Sequence, residues 1–346
     1  MKFPEIVSFT LTNACNLRCQ MCGQWSKEGY ISNKIKGPAL TPKMKPEDWI
    51  RLVDEMAGHP VKLVLVRGGE PFLYPGLMDI LRYINSKGMF IALDTNGTIM
   101  EKYVEELVKI GNMHITFSVD GPEEIHDSVR GIKGSFSKTK ESVLLLNKLD
   151  KKGVINRNIC FVISRYSYKG LGEMPFVAKS MGIREVNIVP CYYVPEKVGN
   201  IYEKELQENF GMTAFSWKGF HQEDSGIDLV EFSNQLGKYK ASLDGVANGN
   251  YMPLGEEEYK IWFSDPLLPV GTVTCNNPEK LIDIQPDGDA NFCLDYPDYT
   301  FGNVRESTIS EVWNSDAAEA FRKYRRRNPL AVCYRCGAKY ITENKD

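Results

Sequence analysis

The chain has 346 residues, of which 42% are apolar and 25% are charged, and its formal net charge at pH 7 is −3. This size and composition are ordinary for a globular protein of one large domain with an appendage, or of two domains. The weakly negative charge offers no electrostatic basis for binding nucleic acid. The short polar N-terminus does not resemble a signal peptide and no apolar run is long enough to span a membrane, so we expect a cytoplasmic protein without membrane contact.

A cysteine-rich loop follows the first predicted strand, an apolar run at 6–12. Cys15, Cys19 and Cys22 are separated by three and by two residues. A cubane [4Fe–4S] cluster has four irons and normally takes four cysteine ligands, so three clustered thiolates predict a cluster with one iron open to another ligand. A structural zinc site is the alternative, but it would need a fourth Cys or His nearby, and none occurs before His59.

The spacing of these cysteines resembles the Cys-x3-Cys-x2-Cys loop of the radical S-adenosylmethionine (radical SAM) superfamily. Met21 lies one position before the last cysteine, where the family has an aromatic or other apolar residue. The resemblance implies that the amino and carboxylate groups of SAM chelate the open iron. It also implies that an external donor such as flavodoxin or ferredoxin supplies the electron that cleaves SAM to a 5′-deoxyadenosyl radical.

Apolar runs alternate with helical patterns as far as residue 190, which is typical of an α/β protein with a parallel sheet or barrel. The predicted strands are 6–12, 62–67, 89–94, 113–119, 157–164 and 185–190. The predicted helices between them are 46–57, 75–87, 100–111, 136–150 and 170–182. This order resembles the partial (β/α)6 TIM-type barrel of radical SAM enzymes, and in barrels the catalytic groups gather at the carboxyl ends of the strands.

The segment Gly68-Gly69-Glu70-Pro71 follows the second predicted strand. Taken alone it predicts a turn. After a three-cysteine loop it resembles the GGEP motif of radical SAM enzymes, which contacts the amino group of SAM. Glycines let a ligand approach the backbone closely, and a carboxylate accepts hydrogen bonds from an ammonium.

Asn96 ends the third strand and Ser118 ends the fourth, and either could simply begin a turn. Ser118 and Arg130 keep the spacing of a pair in the radical SAM subgroup with C-terminal auxiliary clusters. The resemblance implies that this pair binds the SAM carboxylate, which suits a planar guanidinium. A structural salt bridge is the alternative role for Arg130.

Residues 196–272 form a connecting region without repeats, with a predicted sixth barrel helix at 229–243. Its stretch Ser216 to Asp228 is either a substrate loop or a solvated connection. Cys191 ends the sixth strand, so we consider it a candidate catalytic thiol at the mouth of the barrel. Burial is the alternative for Cys191 and the prediction for Cys160, because free cysteine is among the most buried residue types.

A second cysteine set comprises Cys275, Cys293, Cys333 and Cys336. The sequence between them predicts a β-hairpin with an Asp287-Gly288 turn and a helix from Ile309 to Tyr324. This order resembles the twitch domain, a shortened SPASM domain, and implies one auxiliary [4Fe–4S] cluster. A zinc ribbon is the alternative for this set. The basic run Arg322–Arg327 predicts a solvated helix end, where cations complement the helix dipole.

We therefore predict a radical SAM partial barrel at 1–195, the connecting region at 196–272 and a twitch/SPASM-like domain at 273–346. A fully ligated auxiliary cluster favours electron transfer, and hence oxidation of a small polar substrate such as a sugar, an aminocyclitol or another secondary alcohol. Peptide modification and sugar epimerisation through Cys191 are the alternatives. A non-catalytic iron–sulfur electron carrier is the alternative from another class.

Overall fold

The structure, a computed structural model, describes residues 2–33, 42–271 and 274–342. In this part of the chain one sheet contains ten strands, in the order β10-β9-β8-β1-β2-β3-β4-β5-β6-β7. In chain order the strands are β1 (Ile6–Thr10), β2 (Leu63–Arg67), β3 (Phe90–Thr95), β4 (Met113–Ser118), β5 (Ile155–Ile163), β6 (Glu185–Pro190), β7 (Ala247–Asn248), β8 (Leu281–Ile284), β9 (Asp289–Asn291) and β10 (Gly302–Asn303).

The α-helices lie between and after these strands. They are α1 (Pro46–Met56), α2 (Leu77–Ser86), α3 (Val104–Ile110), α4 (Glu123–Arg130), α5 (Ser135–Leu149), α6 (Met174–Met181), α7 (Glu196–Phe210), α8 (Leu229–Ala241), α9 (Glu256–Ser264), α10 (Asn277–Lys280), α11 (Ile309–Trp313) and α12 (Asp316–Arg325). Short 3₁₀ helices span Pro71–Leu73, Met100–Tyr103, Tyr168–Glu173, Ser216–Phe220, Ala331–Arg335 and Gly337–Ile341. Among the described helices, none is long and apolar enough to cross a membrane.

Strands β1 to β6 pair in parallel and in chain order, which makes a partial barrel with helices on its outside. The two faces of each strand differ because side chains alternate. On β4 the outward Met113, Ile115 and Phe117 are fully buried against helices, whereas His114 and Thr116 are half-buried and face the lumen. The predicted α/β barrel is confirmed, with strand and helix ends that shift by a few residues.

Helix α1 shows why these segments are helical. Its buried residues Trp49, Leu52, Val53 and Met56 recur at helical spacing and are 0% exposed. Pro46 starts the helix, where its missing N–H costs nothing, and the Asp48 carboxylate accepts from the Lys45 amide at 2.8 Å.

Helix α7 falls in the connecting region, where sequence analysis predicted only the helix now seen as α8. Its buried residues Val198, Tyr202 and Leu206 recur every fourth position, so an amphipathic signal is present. The signal was missed because exposed charged residues surround it and because Gly199 weakens helix propensity. Gly199 is needed there, since an added Cβ would lie 2.3 Å from the Trp217 ring.

The single helix predicted from Ile309 to Tyr324 is wrong, because two helices, α11 and α12, cover this segment. The break is at Asn314 and Ser315. The Ser315 hydroxyl accepts from the Ala318 amide at 3.2 Å and so caps a new helix.

The C-terminal segment extends the barrel sheet. Strand β8 pairs in parallel with β1, with Ile6 opposite Leu281 and Phe9 opposite Ile284. Strands β8 and β9 form the predicted hairpin, and Gly288 takes φ of 90° in its turn. The predicted domain boundary at 272/273 lies outside the described residues.

Candidate active site

The loop after β1 holds the first three cysteines at the carboxyl end of the barrel strands. The Cys22 amide donates to the Cys19 carbonyl at 3.1 Å, and the Trp25 amide donates to the Cys22 sulfur at 3.4 Å. Burial, with smaller contributions from the neighbouring Cys19 and Cys22 thiols, raises the pKa of Cys15 to about 12. The three sulfurs therefore lie near one another, and they would bind a metal as thiolates because coordination deprotonates them.

The spread of these thiols bears on which metal they fit. Within the described ranges, no three His, Cys, Asp or Glu side chains converge closely enough to hold a single metal ion. The sulfur ligands of a cubane lie farther apart than those of one zinc ion, because each cysteine binds a different iron.

The Gly68-Gly69-Glu70 segment follows β2 and lies against the cysteine loop. The Gly69 amide donates to the Thr12 carbonyl at 2.7 Å, and the Glu70 amide donates to the Ala14 carbonyl at 2.8 Å. A Cβ atom on Gly69 would lie 2.2 Å from the Ala14 carbonyl oxygen. Glycine permits this close approach, which fixes the two loops to each other and places Glu70 beside the cysteines.

Glu70 is fully buried and accepts three hydrogen bonds. The donors are the Phe72 amide at 3.3 Å, the Thr95 hydroxyl at 2.8 Å and the Asn96 amide at 2.9 Å. Burial raises the pKa of Glu70 to about 7, against the effect of these donors. The Asn96 side chain in turn donates to Asn16 Oδ1 at 2.9 Å, which ties the end of β3 to the cysteine loop.

Arg130 ends helix α4 and points its guanidinium at two groups. Its Nη2 pairs with Asp120 Oδ2 at 2.6 Å, and its Nη1 lies 3.6 Å from the Cys19 sulfur. Its Nε has no hydrogen-bond partner in the described residues although it is buried. Arg130 therefore makes the structural salt bridge that was one of its two predicted roles, and it keeps a donor for a ligand. Ser118, half-buried, ends β4 on the lumen face.

The lumen next to this site is strongly charged. Arg67, the last residue of β2, pairs with Asp295 at 3.1 Å, and the Tyr192 hydroxyl donates to the other oxygen of Asp295 at 3.1 Å. Asp94 on β3 is exposed within the lumen, and the protein that surrounds it raises its pKa, although Arg67 opposes this effect. A substrate in the lumen would meet these groups.

The second cysteine set lies beside this charged cluster. Cys275 precedes α10, Cys293 follows β9, and the other two flank a 3₁₀ turn in which the Cys336 amide donates to the Cys333 carbonyl at 3.3 Å. Burial raises the pKa of Cys293 well above its usual range, and the charges of the other three thiols act in the same direction. The four cysteines therefore lie in one neighbourhood, as the ligands of a shared cluster must.

Aromatic residues join the two cysteine sets. A Cβ on Gly23, next to Cys22, would lie 2.3 Å from the Phe220 ring, so this ring packs on the first cysteine loop. Phe220 contacts Tyr192 and Tyr296 with ring centroids 5.4 Å apart in both cases. The Tyr192 hydroxyl accepts from the Gly337 amide at 2.9 Å, next to Cys336. The start of the proposed substrate loop thus packs between the cysteine sets.

The two lone cysteines, Cys160 and Cys191, differ in exposure. Cys191 is 5% exposed, and burial raises its pKa to about 12. The prediction that Cys160 is core is wrong, since it is half-buried and faces the lumen, opposite Ser118 in the register of β4 and β5. Its neighbours Ile159 and Phe161 are the fully buried residues of that strand. Met21 is half-buried within the first cysteine loop.

The basic run is only partly solvated, so the prediction for it is wrong at Arg322. This residue is 5% exposed, and its guanidinium lies 4.2 Å from the centroid of the Trp313 ring and 5.1 Å from that of Phe292. Its Nε donates to the Pro278 carbonyl at 2.7 Å. The residue is buried because aromatic rings and a carbonyl replace its water.

Sequence reasoning missed Asp120, Asn16 and the pair Arg67–Asp295. Asp120 follows the end of β4, and the rule that functional groups gather at strand ends would have singled it out. Asn16 and Asp295 carry no such signal, because their partners lie far away along the chain.

Fold and site together define a class of enzyme in which a three-cysteine loop lies at the carboxyl end of the strands of a partial (β/α)6 barrel. Family models match residues 9–163 as the Radical SAM superfamily and residues 275–337 as SPASM, an iron–sulfur cluster-binding domain. The chain belongs to the radical SAM superfamily and has a C-terminal SPASM domain, with SAM and [4Fe–4S] clusters as its cofactors.

Similar proteins cover nearly the whole chain. An AdoMet-dependent heme synthase of Methanosarcina barkeri is 24% identical over 96% of this chain and 88% of its own length. The antilisterial bacteriocin subtilosin biosynthesis protein AlbA of Bacillus subtilis is 26% identical to this chain. The matched region covers 90% of this chain and 60% of AlbA. The crystal structure of Streptococcus suis SuiB bound to precursor peptide SuiA matches 99% of this chain and 71% of SuiB, with a TM-score of 0.64 and 16% identity.

Proposed function

We propose that this protein cleaves SAM at a cluster held by Cys15, Cys19 and Cys22 and uses the resulting radical to modify a peptide. The observation that carries the proposal is the convergence of Glu70 and Arg130 on this cysteine loop. The cluster, when bound, supplies the electron that splits SAM into methionine and a 5′-deoxyadenosyl radical. The division into 1–195, 196–272 and 273–346 is part of the same proposal.

Glu70 binds the amino group of SAM in this proposal. A carboxylate has about four lone-pair sites, and three donors occupy part of them. The remaining acceptor capacity is available to a ligand, and Glu70 lies beside the cysteine loop. An ammonium beside Glu70 would favour its charged form and offset the effect of burial. Gly68 and Gly69 let the ligand lie against the backbone. Asn96 holds the cysteine loop in place through its hydrogen bond to Asn16.

Arg130 and Ser118 bind the carboxylate of SAM. The salt bridge with Asp120 holds the guanidinium in one orientation, with the free Nε as donor. A guanidinium oriented in this way loses less conformational entropy when it binds a carboxylate. Met21 contributes apolar contact from the cysteine loop.

Cys275, Cys293, Cys333 and Cys336 hold a second, auxiliary cluster. Four cysteine ligands leave no iron open to the substrate, so this cluster would act in electron transfer. The aromatic contacts of Phe220, Tyr192 and Tyr296 lie between the two cysteine sets. A substrate in the lumen would therefore be near both.

The similar proteins support a peptide substrate better than the small alcohol that was predicted from sequence. That prediction relied on the fully ligated auxiliary cluster, which favours oxidation of a substrate but does not decide between an alcohol and a peptide. SuiB, crystallised with its precursor peptide SuiA, nevertheless matches 99% of this chain, and AlbA is named for bacteriocin biosynthesis. A heme precursor is the second candidate, because the heme synthase aligns with 96% of this chain and 88% of its own length.

Anaerobic reconstitution tests the SAM-cleaving part. Two cubanes give about eight irons per chain, and Cys15→Ala/Cys19→Ala/Cys22→Ala should keep about four. With dithionite, the reconstituted wild type should form 5′-deoxyadenosine from SAM and the triple variant should not. Cys191→Ala is the matched control, because Cys191 is 5% exposed and belongs to neither cysteine set, and it should keep both clusters and 5′-deoxyadenosine formation. Wild type that holds both clusters yet forms no 5′-deoxyadenosine would support the electron carrier instead.

Mass spectrometry tests the substrate. Synthetic peptides encoded by small reading frames beside the gene, an iron coproporphyrin and a set of sugars and aminocyclitols are each incubated with enzyme and SAM. A mass change in a peptide supports the proposal. Conversion of the porphyrin or of a sugar alone would overturn the peptide proposal while leaving the SAM chemistry intact.

A further inference from the structure

The Tyr296 hydroxyl is buried without a partner. Tyr296 is 3% exposed, and its hydroxyl forms no hydrogen bond within the described residues. A buried unpaired hydroxyl costs about 1–3 kcal/mol. Tyr296 lies three residues after Cys293. The cost therefore indicates that the hydroxyl gains a partner when the auxiliary cluster is bound.

Several hydrogen-bond acceptors lie near this hydroxyl, and some of them already accept from other donors. Its charged neighbours are Cys336, Asp295, Cys333 and Asp298. Asp295 already accepts from Arg67 and Tyr192, and Asp298 accepts from the Tyr202 hydroxyl and from two backbone amides. Both carboxylates are already engaged, so a cluster held by the nearby cysteines would offer this hydroxyl an acceptor that it lacks among the described residues.

The ring of Tyr296 is held in place by other rings. Its centroid lies 6.1 Å from that of Tyr192 and from that of Tyr202, and 5.4 Å from that of Phe220. Burial raises the pKa of Tyr296 well above its usual value, so the hydroxyl keeps its proton. Tyr296 is therefore a fixed donor beside the second cysteine set.

Two cations face the same set. Arg325 and Lys339 form no salt bridge among the ion pairs of the described residues. Burial alone would lower the pKa of Arg325, yet the four cysteine sulfurs raise it. Lys339 is 5% exposed; burial lowers its pKa, and Cys336 and Cys333 oppose this effect. Negative charge on these sulfurs would thus be stabilised by the positive charges of Arg325 and Lys339.

The first cysteine set has a different environment. Its cation, Arg130, is already paired with Asp120, and the carboxylate of Glu70 adds repulsion. Cluster potentials depend on net charge, on hydrogen bonds to the sulfurs and on solvent exposure. Donors and cations favour the reduced form, which carries one more negative charge.

We infer that Tyr296, Arg325 and Lys339 raise the reduction potential of the auxiliary cluster. This makes them positioning residues that suit the cluster to accept an electron. The inference rests on the auxiliary cluster of the proposed function. It goes beyond that function because it assigns the potential to particular side chains outside the ligand set.

An EPR-monitored redox titration tests the inference. The background is Cys15→Ala/Cys19→Ala/Cys22→Ala, so that the signal comes from the auxiliary cluster alone. Adding Tyr296→Phe should lower the midpoint potential by about 59 mV, which is a tenfold change in the ratio of reduced to oxidised cluster for one electron. Tyr299→Phe is the matched control, because its hydroxyl already donates to the Ala317 carbonyl at 2.8 Å and the potential should not move.

A second pair of variants tests the charge. Arg325→Gln should lower the potential in the same background. Lys323→Gln, an exposed neighbour on α12, should leave it unchanged. Equal potentials for Tyr296→Phe, Arg325→Gln and the background, or equal shifts in the control variants, would overturn the inference.

Stability of the metal-free protein provides a readout that does not depend on iron. Removing an unpaired hydroxyl should leave the free energy of unfolding of Tyr296→Phe unchanged or higher, whereas Tyr299→Phe should lose about 1 kcal/mol. A clear loss in Tyr296→Phe would show that the hydroxyl already has a protein partner, which refutes the inference. If the triple-cysteine background binds no iron at all, the auxiliary cluster of the proposed function fails instead.

Discussion

The buried ion pair Asp120–Arg130 has a close match elsewhere in the chain, Asp150–Arg157. Both carboxylates are 0% exposed, and the arginine side chains are 9% and 14% exposed. Asp120 also accepts from the Val162 amide at 3.2 Å, and Asp150 from the Val154 amide at 2.9 Å. The two pairs differ in place, because only Asp120–Arg130 adjoins the cysteine loop. They also differ because Arg157 donates to the Asn147 side chain and the Ile155 carbonyl, whereas the Arg130 Nε has no partner among the described residues.

Asp120→Asn and Asp150→Asn should each destabilise the protein. The amide keeps the backbone hydrogen bond, but the arginine loses its counter-charge while it stays buried. Breaking a buried pair in this way costs about 3–5 kcal/mol. Urea unfolding of the metal-free protein measures the loss for both variants.

SAM should distinguish the two variants once the clusters are loaded. Its carboxylate can supply the negative charge that Arg130 lacks in Asp120→Asn, so SAM should raise the melting temperature of this variant more than that of wild type. In Asp150→Asn the SAM-dependent shift should equal that of wild type, because Arg157 cannot reach the ligand. Equal SAM-dependent shifts in both variants, or a loss well below 3 kcal/mol, would refute this account of Arg130.

Further predictions concern three separate positions. Cys191→Ala should leave 5′-deoxyadenosine and product formation unchanged and cost about 1 kcal/mol, and loss of product alone would instead make Cys191 a hydrogen donor. Gly23→Ala should lower iron loading of the first cluster, because its Cβ would overlap the Phe220 ring, and colorimetric iron analysis measures this. Burial opposes ionisation of Asp127, but donors including the Phe136 amide at 2.8 Å lower its pKa below 3.8. Its contribution is thus present above pH 4 and lost in more acidic solution, so the stability gap between wild type and Asp127→Ala, from urea unfolding, should shrink as the pH falls below 4.

The barrel could be predicted from sequence because its signals are local. Each strand is an apolar run, and helix α1 shows its buried face as Trp49, Leu52, Val53 and Met56 at helical spacing. The first cysteine set was found in the same way, because Cys15, Cys19 and Cys22 are close along the chain, whereas the second was found through its resemblance to a twitch domain. The hairpin of β8 and β9 followed from its Asp-Gly turn.

Features that depend on distant partners could not be predicted. Arg322 belongs to a run of charges, and only the folded chain places Trp313 and Phe292 against it. Cys160 looked like core because it lies in an apolar strand, but strand direction decides which face it occupies, and it faces the lumen. The pairing of β8 with β1 joins residues far apart and has no local signal.

That pairing has a consequence for synthesis on the ribosome. Strand β1 emerges first, but one of its two edges stays without a partner until Leu281–Ile284 has been made. An unpaired strand edge invites association with other chains, and contacts between distant residues form slowly. The nascent barrel would therefore stay incomplete through most of translation. A chain truncated before β8 should aggregate more readily than full-length protein, even though every strand from β1 to β6 is present.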